Sequence, residues 1–143
     1  MDETNQAQAV NDLGEECDWI LQTFVELANH GVEIPITLTV GAGLVSGVII
    51  GGTKYLDGLR HSLTGGSDQD WNGLVSDVVE KWKGKYERKD DDEPVKLEEV
   101  RYIHLRDAKL LVGNGFVPVA GAFWRAQLQA VTGFTIGTLG QTS

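Results

Sequence analysis

Residues Ile34 to Ile50, IPITLTVGAGLVSGVII, constrain this chain more than any other stretch. Ile34, Ile36, Leu38 and Val40 alternate with Pro35, Thr37 and Thr39, the period of a strand with one buried and one wetter face. Gly41-Ala42-Gly43 interrupts the pattern, and Leu44, Val45, Val48, Ile49 and Ile50 resume it. Glycines turn a chain at low steric cost, and Gly47, inside the second run, suits a bent or bulged strand. The stretch predicts a hairpin or strongly bent ribbon that nucleates a small sheet or barrel.

The elements on either side set the architecture. Met1 to Asn11 is polar and predicted to be loose, and Asp12 with Glu15 has capping-box spacing. Cys17, Ile20, Leu21, Phe24, Val25, Leu27 and Ala28 then share a helical stripe, and Gly31 follows His30 as a stop, which predicts a helix over 12–30. After the strands of 34–50 comes a helical insertion over 53–86. Thr53 is the candidate cap of its first helix and Ser67 or Asp68 of its second. Trp71, Leu74, Val75, Val78, Val79, Trp82 and Tyr86 lie along one face of that second helix. Residues 87–99 form a charge-dense loop around one proline.

Strand patterns return over 100–139, with a turn signal at Gly113-Asn114-Gly115 and a tight turn at Thr132-Gly133. A helix followed by about five short antiparallel strands is an α+β plan. Its expected form is a strongly bent sheet or a small Sm-like or SH3-like barrel, with the helical insertion between strands 2 and 3; an open α+β sheet is the alternative. At 143 residues a single domain can bury this core without disulfides or metal.

Charge excludes several function classes. A net charge of −9 argues against phosphate-driven nucleic-acid binding and against an anionic membrane surface. No apolar run is long enough to span a bilayer. The single cysteine and the acidic N-terminus without a signal peptide predict a reducing cytoplasm as the simplest home.

The candidate chemistry is thin. Gly41-Ala42-Gly43-Leu44-Val45-Ser46-Gly47 lacks the helix that a dinucleotide fingerprint requires after its glycines. His104-Leu105-Arg106-Asp107 looks like a fragment of a kinase catalytic loop, but the glycine-rich loop, paired lysine and Asp-Phe-Gly are missing. On an alternating strand His104 and Arg106 share a face, and a pocket beside them is a third-ranked expectation. His30, His61 and His104 stand in different elements without metal spacing, and Cys17 belongs to the apolar helix face. Asp90-Asp91-Asp92-Glu93 lacks the alternation of a calcium loop. No catalytic residue, cofactor or metal is expected. Trp19 and Trp124 read as core, whereas Trp71 and Trp82 read as core or as interface anchors.

Several segments together resemble the gas vesicle accessory protein U family: ITLTVGAGLVSG (36–47), KYLD (54–57), YIHLRDA (102–108), FWRAQL (123–128) and Val131-Thr132-Gly133-Phe134. They occur in the family's order over most of the chain. The departures are Ala126, where the family is expected to carry glycine, and the charged insertion. The resemblance implies a non-enzymatic accessory role, with self-association and assembly or clustering of gas vesicles. The implied partners are further copies of the chain and the vesicle shell or other vesicle proteins, and the implied location is the cytoplasm, on gas vesicles. Trp71, Val75, Val78, Trp82, Trp124 and Arg125 are the candidate interface residues. The alternative is an Sm-like oligomeric RNA-binding or adaptor protein, opposed by the few, scattered cations Arg101, Arg106, Lys109 and Arg125.

Overall fold

A computed structural model describes residues 17–87 and 96–139. The expectations for 1–11, for a helix start at Asp12 and for the acidic run 90–93 lie outside the described residues. The first helix, α1 (Trp19–Asn29), is capped by Asp18, whose carboxylate accepts from the Ile20 amide at 2.9 Å. It stops at Gly31, which takes φ 102. Leu21, Val25 and Ala28 bury one face of α1, while Trp19 is 41% exposed and does not join the core as expected.

The glycine-broken ribbon is a hairpin. β1 (Ile34–Val40) and β2 (Gly43–Ile50) pair antiparallel from Ile34↔Ile49 to Val40↔Gly43, with Gly41 at φ 60 in the turn. Next come α2 (Gly52–Leu63) and α3 (Gln69–Lys83). The N-cap of α2 is Gly51 rather than Thr53, and the first helical amide, Gly52, donates to Asn29 Oδ1 at 3.0 Å. A Cβ on Gly51 would approach the Ala28 carbonyl oxygen at 2.9 Å, so the glycine lets α2 start against the end of α1. Asp68 caps α3 through the Trp71 amide.

β3 (Tyr102–Val112) and β4 (Gly115–Gln127) are a long hairpin turning at Gly113. A 3-10 turn, Leu128–Ala130, leads to β5 (Val131–Ile136), which pairs with β1. Thr132 and Gly133 therefore lie inside a strand; the turn expected there is made one step earlier.

The sheet order is β4-β3-β2-β1-β5, antiparallel throughout. Among the described residues five strands pair in this sheet, as expected. The sheet is open, with β4 and β5 as its outer strands, so a closed barrel is not formed by backbone pairing among the described residues.

The sheet's inner face carries Ile36, Leu38, Val45, Ile49, Ile103 and Leu105, closed over by Cys17, Leu21, Val25 and Ala28. Each such aliphatic side chain contributes about 1.5–3 kcal/mol when fully buried. Gln22, also buried there, donates from Nε2 to the Val100 carbonyl at 2.9 Å and fixes α1 to the chain entering β3. The outer face carries Ile50 and His104, both buried. The α2–α3 hairpin covers that end, with its own small core of Leu56, Val75 and Val79.

Candidate functional site

The register of β3 and β4 sets His104 opposite Arg125. Arg125 Nε donates to His104 Nε2 at 3.1 Å, and its guanidinium carbon stands 3.8 Å from the centroid of the Tyr102 ring. From above, Tyr55 on α2 lies over the imidazole with ring centroids 4.6 Å apart. Tyr86, just beyond α3, meets it edge-on at 5.6 Å.

His104 is 1% exposed. Burial, and then the neighbouring Arg125 charge, push it down from its ordinary value of 6.5 to about 4, so it is neutral at neutral pH. Because Nε2 accepts from Arg125, the ring proton is assigned to Nδ1. Nδ1 is buried without a hydrogen-bond partner among the described residues. The chemical result is a clamp: a neutral imidazole and a tyrosine face hold one guanidinium in place. Nε is used inward, and Nη1 and Nη2 make no hydrogen bond among the described residues.

Beside the clamp is a cleft of about 330 Å³, lined by Tyr55, Leu56, Leu59, Trp82, Lys85, Tyr86 and Arg125. A second cleft of about 510 Å³ adjoins it at Lys85 and Tyr86 and reaches Val25, Asn29 and Arg101. Among the described residues, no group of three or more His, Cys, Asp or Glu is arranged to hold a metal. No helix among them is long and apolar enough to cross a membrane.

The six residues expected at an interface fall into different settings. Val75 is buried between α2 and α3, and Val78 is half-buried. Trp71 is 47% exposed, with its indole N–H donating to the Leu63 carbonyl at 2.8 Å. Trp124 packs against the main core, half-buried, as expected. Trp82 and Arg125 alone of the six line one cleft.

Neither of the two clefts is lined by His104 or Arg106. His104 is sealed under Tyr55, while Arg106 reaches the rim, 3.0 Å from Glu33, which also holds Lys54 at 2.6 Å. Tyr55, Tyr86, Tyr102 and Lys85 join the site without being singled out for it by the sequence. The local signal at Tyr102, which shares the His104 face of an alternating strand, does not show what stands opposite.

The resembling segments meet in this region: KYLD supplies Tyr55, YIHLRDA supplies Tyr102 and His104, and FWRAQL supplies Arg125. Comparison with curated proteins and with solved structures returns no match. The family description "Gas vesicle protein GvpU-like" matches residues 18–139. With most of its length covered, this chain belongs to the GvpU-like family of gas vesicle proteins.

Proposed function

We propose that this protein is a non-enzymatic gas vesicle accessory protein that associates with itself and promotes assembly or clustering of vesicles. It acts in the cytoplasm, bound to the vesicle shell or to other vesicle proteins. The family match over residues 18–139 carries this reading.

Two surface features support it. α3 and the end of α2 expose Leu63, Trp71, Leu74 and Trp82, an apolar surface of the kind that anchors interfaces. The outer strands β4 and β5 have no partner on their far sides among the described residues, and such edges recruit further strands.

Flotation with purified vesicles tests the first half of the reading, since a bound accessory protein rises with the gas-filled shells. Sedimentation velocity over a concentration series tests the second. A protein that stays monomeric and in the infranatant, and whose deletion leaves vesicle assembly and clustering unchanged, rules the reading out.

A further inference from the structure

We propose that the cleft between α2, α3 and β4 docks a partner polypeptide that presents an acidic side chain next to a leucine or aromatic residue. Tyr55, Leu59, Trp82 and Tyr86 give it apolar and aromatic walls, and Arg125 and Lys85 stand on its rim. An apolar side chain flanked by a carboxylate matches both parts.

Charge complementarity points to an anion. Lys54, Arg60, Lys83 and Arg106 each have a carboxylate partner. Lys81, Lys85, Lys96, Arg101, Lys109 and Arg125 have none among the described residues, and of these only Lys85 and Arg125 line this cleft, in a chain with a net charge of −9. Two uncompensated cations converge on one aromatic cleft in an otherwise acidic molecule.

Arg125 is also prepared for the task. His104 holds Nε and the Tyr102 ring lies 3.8 Å from the guanidinium carbon, so part of the side-chain entropy that binding would remove is already lost. What remains free is the outer fork of Nη1 and Nη2, the shape that accepts a carboxylate in two parallel hydrogen bonds. A neutral imidazole kept in an apolar niche, with Nδ1 unsatisfied, is a poor choice for stability alone. It is understandable as the support of that fork.

The inference stands apart from self-association, and the test separates them. The probe is an N-acetylated, C-amidated hexapeptide, Ser-Glu-Leu-Phe-Glu-Ser, titrated into the full chain and followed by NMR at the tryptophan indole and arginine Nε–H signals. The expected result is saturable movement of the Trp82 and Arg125 signals, with Trp71 unmoved. The twin peptide with glutamine for glutamate, and the R125Q protein, each bind at least about tenfold more weakly. R125K keeps the charge but loses the fork, and falls between.

W82A guards against a folding artefact, because Trp82 is 43% exposed and its removal spares the cores. It too weakens the peptide. Equal binding of both peptides, unchanged binding by R125Q, or no movement at millimolar peptide overturns the proposal. So does displacement of the peptide by oligouridylate, which would assign the cleft to nucleic acid. Sedimentation of R125Q completes the test. Unchanged self-association with lost peptide binding supports a separate partner site, whereas loss of both together makes the cleft a contact between copies and overturns it.

Discussion

A Cβ added to Gly121 on β4 would lie 2.9 Å from the Cα of Asp107 on β3. Asp107 takes φ 52, the one non-glycine positive value among the described residues. On its other side, a Cβ on Gly47 of β2 would stand 3.0 Å from the Arg106 carbonyl oxygen. The register breaks on both flanks of this point, so β3 carries a bulge held between two glycines.

Gly121→Ala is expected to destabilise by about 2–4 kcal/mol, because it adds both a backbone collision and a left-handed alanine at φ 82. Gly47→Ala, whose Cβ would crowd the Arg106 and Ala108 backbone at 3.0 and 3.2 Å but at an ordinary φ, costs less. Asp107→Gly stays near wild type, since relief of its φ offsets the lost hydrogen bond from Arg106. Urea titration of the three variants checks the order, and a neutral Gly121→Ala contradicts it.

Acidification acts through His104. Its folded value, about 4, lies below the ordinary 6.5, so the unfolded chain takes up the proton first as pH falls. The stability gained by keeping the ring neutral is complete above pH 6.5 and is lost as pH drops toward 4, by roughly 3 kcal/mol in all. Glu33, held below the ordinary carboxylate value of 4.5 by its hydrogen bonds from Lys54 and Arg106, keeps its contribution down to about that pH and loses it in more acid solution. Urea midpoints between pH 7 and pH 5 isolate the histidine. His104→Gln is expected to flatten the slope in that window.

Glu33 ties the start of β1 to β3 through Arg106 and to α2 through Lys54. All three side chains are partly exposed. Glu33→Gln therefore costs on the order of 1 kcal/mol or less. The difference between variant and wild-type melting temperatures should shrink in high salt. A salt-independent loss would assign the effect to packing instead.

The two cores differ in depth. Leu105→Ala, in the main core and 0% exposed, is expected to cost about 2–5 kcal/mol. Val79→Ala, in the small core of the α2–α3 hairpin, removes fewer methyl groups and costs about 1–2 kcal/mol. Its distinguishing effect is local: hydrogen exchange in α2 and α3 rises more than in β1 and β2.

Leu74 is 59% exposed on α3. Leu74→Glu is expected to leave unfolding free energy within about 0.5 kcal/mol of wild type while weakening self-association. Sedimentation velocity beside a thermal melt reads both. Unchanged association moves the contact surface away from this helix.

Period-two alternation and a glycine turn made the β1–β2 hairpin readable, and a 3.6-residue stripe did the same for α3. Other boundaries were hidden because the residues that form them are ambiguous. Thr53 reads as the cap of the first insertion helix, but Gly51 takes that place, because its missing side chain lets α2 begin beside Ala28. Gly133 reads as a turn but occupies a strand facing Thr39, while the true turn, Leu128–Ala130, has no turn-forming residue. The candidate site was less accessible still. His104 and Arg125 are 21 positions apart, and they meet only because a long hairpin with two register shifts aligns them. No local pattern encodes that alignment.

The strand count has a consequence for symmetry. With an odd number of antiparallel strands, β4 and β5 run in the same sense. A simple translation that set β4 of one molecule beside β5 of the next would create a parallel ladder. A two-fold axis joins like to like, β4 to β4 or β5 to β5, in the stronger antiparallel form. Paired in that way, each molecule would use two self-complementary margins, and their alternation would build a ribbon with no natural end.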